Sequence, residues 1–505
     1  MTITSFLSPD RKLLWFFVAL IIKGLFFFSV VSQPHYTNVL GTWGIYGGDS
    51  DTYIVPIDNW IKSGKYTPDY RIPGYGIFYL AFRIFFNKIA ACNALIVTQY
   101  LFDCLATYIG ALLALKLFKS KPAFYFTYFI LVVSYYVSIF NTILSTDSVT
   151  TSLVIFWLYS LYCYFEKQQI KYLLLSGFLI TWIIFLRPVY APLFFLAVGL
   201  WAWKYWRGQE TWRLIGKQIL LFSLPLLLSE SVWIYHNYQE HKQLIFFKKG
   251  GQWYPFQYKN SFPELVTFIQ SWGGDYVFWQ PNSEIGWFGL QDYRPIEAEP
   301  YRLKKPDDSV IIPDDIYTST FNQDSLLKIR EFMPIAWDDK TLDSLTYKKY
   351  NDSMRAKLNS YTTSIKVEKP FLYYFKAPVR ILWKFIDFKT FKYVYLPFDT
   401  TKPETFTGRK QKIMYLTKIG VIYGYGILYY TILFMGLLGV LILILNLQKF
   451  YSFSSLVALV AVYGIAVFPF VFRSAEARYW VVTYPCLVIC ASYCFHLVLS
   501  RISKS

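Results

Sequence analysis

Apolar residues run through most of this chain in long stretches, and polar residues gather in the gaps between them. A helix needs about 20 mainly apolar residues to cross a bilayer, and that ruler finds about ten windows. They fall near 13–31, 93–117, 122–141, 147–165, 171–186, 189–206, 214–235, 419–446, 452–472 and 479–499. The pattern predicts an all-α polytopic membrane protein. The first window is longer than a signal-peptide core and no small-residue cleavage site follows it, so it reads as a retained signal anchor. Two long polar-rich interruptions remain, 32–92 and 236–418. The chain therefore divides into an N-terminal transmembrane module, 1–235, which contains the first long loop; an insertion, 236–418; and C-terminal transmembrane helices, 419–505.

The insertion reads as a folded, α-rich element rather than a linker. Residues 340–368 are patterned as an amphipathic helix ended by Pro370, and Pro306 and Pro313 break a polar stretch at 301–318. Residues 371–396 mix aromatics with Lys376, Arg380, Lys384, Lys389 and Lys392, which fits a helix lying in the membrane interface. An aromatic-rich part, 250–290, includes Trp253, Trp272, Trp279 and Trp287. Such rings can stack on sugars, but at a membrane surface they are read first as interfacial anchors.

Composition supports the bilayer as solvent. The 505 residues are 55% hydrophobic and only 16% charged, against about 25% charged in a typical soluble domain. The formal charge of +18 does not point to nucleic acid, because its cations occupy short loops. With the N-terminus, Arg11 and Lys12 inside, alternate short loops carry Lys116, Lys119 and Lys121, then Lys167 and Lys171, then Lys204, Arg207, Arg213 and Lys217, then Lys449, then Arg501 and Lys504. All of these then lie on the cytoplasmic side, as the positive-inside rule requires, and both long segments lie outside. Anionic membrane lipids are the expected partners of the basic loops. Cys92, Cys104, Cys163, Cys486, Cys490 and Cys494 sit inside apolar stretches and read as packing residues. Lys23, and Asp103 with Gln99, lie within spans, where mutual pairing or interhelical hydrogen bonding is the first reading.

With that topology, scattered polar residues share the external face. They are Asp49 and Asp51 in GGDSDTY, Arg71 in RIPGYG, Asp147 in STDS, Arg187 in LRP, His236 with Asn237, and Arg473, Glu476, Arg478 and Tyr479 before the last span. Carboxylates and guanidinium groups at one membrane face suit a phosphate-bearing, lipid-linked substrate. Each also has an ordinary reading. Asp49, Asp51 or Asp147 would serve as helix N-caps or first-turn acids, and the arginines as headgroup anchors or as a partner for Glu476.

Taken in order, these elements resemble the GT-C superfamily of polytopic glycosyltransferases, most closely the branch with protein O-mannosyltransferases and the aminoarabinose transferase that modifies lipid A. The resemblance rests on Asp49 with Tyr53 four positions on, a small helix ending in SGKY (63–66), Arg71 and Pro73, Asp147, the Arg187–Pro188 pair, and Glu476, Arg478 and Tyr479. It covers roughly residues 1–240 and 410–505. The chain departs from that pattern at His236, where relatives often carry Arg, and in placing its extramembrane mass between spans seven and eight.

The resemblance implies a polyprenyl-phosphate sugar donor and inverting transfer to a glycan, lipid or protein acceptor outside a bacterial inner membrane. Asp49, Asp147 and Asp51 are then the catalytic candidates, Asp49 foremost as the base. Tyr53, Arg71, Arg187, His236, Glu476, Arg478 and Tyr479 are the substrate and phosphate candidates. A carboxylate would take the acceptor proton, and cations would stabilise the leaving phosphate. No cofactor is assigned; a divalent metal at the phosphate stays an open alternative, its ligands unknown. An O-antigen-type polymerase or ligase would use external Arg and His without needing the early acidic motif. A transporter should show repeated halves with broken helices, and no internal repeat or Walker loop is present.

Overall fold

The computed structural model describes residues 8–32, 40–47, 49–68, 71–247, 260–277, 283–290, 306–338, 340–388, 408–445, 453–476 and 478–502. Among them no strand forms, and one isolated parallel bridge joins Ile45 to Ile143. The protein is all-helical in these regions, as its apolar runs predict.

Among the described residues, seven helices are long and apolar enough to cross a membrane: Lys12–Val31, Lys88–Phe118, Thr146–Lys167, Trp212–His241, Arg409–Leu445, Phe453–Phe472 and Tyr484–Ile502. The run expected at 122–141 is broken into Lys121–Val133 and Tyr135–Thr142, which meet at 57°. Ser134 lies at the break, with its hydroxyl donating to the Ile130 carbonyl at 2.6 Å, a back-bond that bends helices. Counting this pair as one span raises the number to eight.

The runs expected at 171–186 and 189–206 form Ile170–Leu186 and Pro192–Trp206, of 17 and 15 residues. At 1.5 Å per residue they reach only about 26 and 22 Å, below the roughly 30 Å of a hydrocarbon core. Pro188 and Pro192 shorten them, with a 3₁₀ turn Pro188–Tyr190 between. The count of ten thus exceeds what length and composition establish, because run length does not register Ser134 or these two prolines.

Contacts divide the chain into two compact units, each described by itself. The first comprises Met1–Trp253, Pro397–Gly464 and Trp480–Ser505. Its helices pack closely where side chains are small. A Cβ on Gly436 would meet the Leu487 side chain at 2.4 Å, and one on Gly439 would meet the Cys490 carbonyl oxygen at 2.1 Å. All six cysteines are buried and unbridged, in keeping with a packing role. Lys23 pairs with Asp103 inside the spans, as expected of buried charge.

The second unit comprises Tyr254–Leu396 and Ile465–Tyr479. Phe262–Ser271, Gln323–Ala336 and Ser344–Glu368 close over a core that includes Leu265, Phe268, Met333 and Leu358. Each helix start has a local reason. Asn322 and Ser325 form a capping box, and the Asp343 carboxylate accepts from the amides of Leu345 and Thr346. The helix expected at 340–368 is present and stops at Glu368, two residues before Pro370.

One expectation for the insertion changes. Trp272 and Trp287 are core residues, not interfacial anchors, since their rings supply large apolar area to an otherwise small core; Trp253 and Trp279 lie outside the described residues. In the segment 371–396, the described part is a π turn, Leu372–Lys376, running into the helix Ala377–Ile386. It exposes Phe371, Tyr374, Phe375 and Trp383, while Asp315 pairs with Lys376 and Arg380.

Helix contact at Gly439 leads to a direct test. Gly439→Ala forces the two backbones apart and is expected to destabilise by about 1–3 kcal/mol, read as a lower thermal midpoint in detergent micelles. Gly424→Ala, whose added Cβ meets nothing within 4 Å, should leave the midpoint unchanged or slightly raised.

Candidate active site

The loop helix Ser50–Ser63 begins at a turn in which the Ser50 amide donates to the Gly47 carbonyl at 3.2 Å. It ends with Gly64 in the left-handed region, so the small helix expected before SGKY is present. Asp49 occupies the N-cap position, yet its side chain makes no capping bond. Its Oδ1 instead lies 2.7 Å from Arg71 Nη2. Arg71 Nε also donates to Thr52 Oγ1 at 3.2 Å, and the guanidinium lies 4.8 Å from the centroid of the Tyr53 ring. Spacing alone favoured Tyr53 as Asp49's companion, and Arg71 is what joins them.

Packing explains how Arg71 reaches this place. The next residue, Ile72, is buried with Phe185 and Trp233. Two residues on, Gly74 packs so tightly that a Cβ would lie 2.2 Å from the Phe185 carbonyl oxygen, and no other residue type tolerates that approach. The RIPGYG segment is therefore held against the end of the helix Ile170–Leu186.

A second acid–arginine pair sits beyond the first. Pro188 favours an extended backbone at Arg187, observed at φ −148° and ψ 97°. Arg187 Nη2 pairs with Asp147 Oδ1, and Arg187 Nε donates to Thr146 Oγ1 at 2.8 Å. Asp147 lies in the first turn of Thr146–Lys167, where the helix dipole favours an acid, and its other oxygen accepts from Ser145 Oγ at 3.0 Å. Exposure separates the two pairs. The side chains of Asp147 and Arg187 are 1% and 11% exposed, those of Asp49 and Arg71 25% and 26%. A soluble headgroup can reach the first pair far more readily than the second.

Tyr53 joins them. Its hydroxyl hydrogen-bonds the Thr146 side chain, and both Arg71 and Arg187 act on it electrostatically. Burial raises the phenol above its ordinary range; the two guanidinium groups and Thr146 pull the other way, and Asp49 adds to the rise. The Tyr53 hydroxyl thus stays protonated at neutral pH. Thr52 and Thr146 complete the arrangement, and the sequence marked neither beyond their positions inside DSDTY and STDS.

The other candidates fall elsewhere. Asp51 is exposed and accepts from the Tyr46 hydroxyl at 2.5 Å. His236 stacks on Trp233 with centroids 5.2 Å apart and lies beside Tyr66, and so adjoins the cluster that holds Ile72. Glu476, Arg478 and Tyr479 belong to the second unit. There Arg478 pairs with Glu476 and lies over the Tyr479 ring, which stacks on Phe468. The ordinary reading, an Arg478–Glu476 bridge, is the arrangement seen. Among the described residues, no three His, Cys, Asp or Glu side chains form a group that could hold a metal ion.

Beside Glu476, sequence reasoning overlooked Asp275. It is fully buried and its carboxyl is pushed up to about 7, by desolvation first and by Glu284 and Glu476, against the Val277 amide and Lys384.

Removing Arg187 leaves a buried carboxylate without its guanidinium. Arg187→Met is expected to cost about 3–5 kcal/mol, and the double change with Asp147→Leu to recover most of it, by thermal unfolding in micelles. For Asp275, the folded carboxyl titrates near 7 and the unfolded one near 3.8, so folding takes up a proton between these values. Its contribution to stability is most favourable below about pH 4, declines across the window and is lowest above about pH 7. Asp275→Asn should be more stable than the parent at pH 8, by up to about 4 kcal/mol at roughly 1.4 kcal/mol per pKa unit, with the difference vanishing near pH 4.

Compared with known proteins, the chain matches no family model, and no curated protein is found to be similar to it.

Proposed function

We propose that this chain is a glycosyltransferase that moves a sugar from a polyprenyl-phosphate donor to an acceptor hydroxyl at the external face of a bacterial inner membrane. The observation that carries the reading is the joining of Asp49–Arg71 to Asp147–Arg187 through Tyr53 and Thr146, from three segments far apart in sequence. Basic short loops support the orientation, and the short helices Ile170–Leu186 and Pro192–Trp206 would complete ten passages if the bilayer thins around them.

In this reading the donor phosphate competes with Asp49 for Arg71, the exposed arginine. Arg71, with its carboxylate partner released, receives phosphate oxygens bidentately. The acceptor oxygen attacks the anomeric carbon while Asp49 takes its proton. The bond from that carbon to the phosphate oxygen breaks, and polyprenyl phosphate departs with its electron pair, its charge met by guanidinium groups. A single displacement inverts the anomeric centre. Asp147, sealed behind Arg187, orients that arginine and does not exchange protons with substrate. The acceptor is a glycan, lipid or protein.

Mass spectrometry of lipid-linked sugars and envelope glycans with and without the protein tests the reaction; one polyprenyl-phosphate sugar should accumulate as its product disappears. Asp49→Asn is expected to lower turnover about 10²- to 10⁴-fold with the fold intact, and Asp51→Asn far less. Arg71→Lys should also impair transfer, because an ammonium cannot offer planar paired donors. Near-normal turnover of purified Asp49→Asn protein would reject the assignment.

A further inference from the structure

The buried Lys23–Asp103 pair takes no part in that chemistry, yet its hydrogen bonds end on the segment that supports it. Lys23 Nζ lies 2.7 Å from Asp103 Oδ2 and 2.8 Å from Ser138 Oγ. The same carboxylate oxygen accepts from Ser138 Oγ at 3.1 Å and from Asn141 Nδ2 at 2.7 Å. Asn141 Oδ1 in turn accepts from the hydroxyl of Ser148, the residue after Asp147. One turn before Asp103, Gln99 Nε2 donates to the carbonyls of Asn141 at 3.2 Å and Ile143 at 3.1 Å. Gln99 Oε1 accepts from the Tyr75 hydroxyl at 2.6 Å, and the Tyr75 ring packs on Tyr53 with centroids 5.1 Å apart.

These contacts converge on residues 138–145, which have little regular structure beyond the 3₁₀ turn Ile139–Thr142. The loop that carries Asp49 docks on this same stretch. The Ile45 amide donates to the Thr142 carbonyl at 2.6 Å, and the Leu144 amide returns a bond to Ile45 at 3.1 Å. Ser50 Oγ donates to the Leu144 carbonyl at 2.9 Å. Residues 138–144 are thus gripped from within the spans by Asp103, at Ser138 and Asn141, and by Gln99, at Asn141 and Ile143, and from the loop side by Ile45 and Ser50.

A buried ion pair is a weak source of stability, since apolar replacements are often as good. What this one supplies is a charged acceptor at a fixed place, with three donors pointed at it. We propose that Lys23, Asp103 and Gln99 are positioning residues that set the register of 138–145, and through it the placement of Asp49 and Asp147. The inference rests on the proposed transferase reading for its consequence, but its structural claim can be tested without any reaction.

The test is hydrogen–deuterium exchange by mass spectrometry on the full-length protein in phospholipid nanodiscs, with turnover measured alongside. In Lys23→Met/Asp103→Leu, amides of residues 44–50 and 142–146 should exchange at least about tenfold faster, with the thermal midpoint held within about 3 °C. In the same variant, kcat should fall on the order of 10- to 100-fold at unchanged donor KM, as expected of misplaced rather than missing groups. Lys23→Met/Asp103→Asn keeps an uncharged acceptor for Ser138 and Asn141 and should restore both readouts.

Unchanged exchange at 44–50 in the leucine variant overturns the proposal, as does a midpoint that collapses with it, failure of the asparagine variant to rescue, or local loss with normal kcat. If the leucine variant does not fold, Gln99→Leu, which leaves the ion pair intact, should show the same local loss, and its absence overturns the proposal equally. A wild-type protein without transfer activity rejects the transferase reading alone, and the exchange result still decides the positioning claim.

Discussion

Charge withdrawn from water must be met by opposite charge and hydrogen bonds, or it costs several kcal/mol per group. In the first unit this requirement ties together distant parts of the chain. Lys23 answers Asp103, Arg71 answers Asp49, Arg187 answers Asp147, and Arg83 with Lys88 answers Asp58. Two of these pairs form the candidate site. Asp58–Arg83 joins the helix Ser50–Ser63 to Gly74–Arg83, and Lys23–Asp103 anchors the segment on which the loop rests. An apolar bundle has few other means of directing a loop, because dispersion contacts between aliphatic side chains carry little orientation.

The difference in burial between the two acid–arginine pairs organises the functional reading. Asp147 and Arg187 are closed off and satisfied, which suits a fixed electrostatic wall. Asp49 and Arg71 are a quarter exposed, which suits groups that change partners when substrate arrives. Tyr53 lies between them, under the Arg71 guanidinium and beside Thr146, to which Arg187 donates.

The second unit has a hydrophobic core of its own. Many of its aromatic residues form that core, two of its helices, Gln323–Ala336 and Ser344–Glu368, carry side-chain caps, and its buried acid, Asp275, accepts from the Val277 amide and has a raised affinity for protons. The sequence presented the same tryptophans as a surface feature, since an aromatic run looks alike whether it faces lipid or core. Only the closing of Ser344–Glu368 over Phe262–Ser271 distinguishes the two.

Much of the fold could be read directly from the chain. Apolar run length is a one-dimensional property, so the seven long helices, the break before Pro370 and the helix ending at SGKY were all legible. So was the need for Lys23 and Asp103 to find partners. Run length could not show where a single residue redirects the backbone, at Ser134 and at Pro188 and Pro192, because a hydropathy window averages over such positions. For the site, spacing identified Asp49, Arg71, Asp147 and Arg187 as candidates. It could not say that Asp49 bonds Arg71 rather than its own helix, that Asp51 turns to Tyr46, or that Thr52 and Thr146 belong. Those outcomes depend on which loop backbone lies against which helix end, a contact made by Ile45 on Ile143 and Gly74 on Phe185 across gaps of about a hundred residues that no local pattern records.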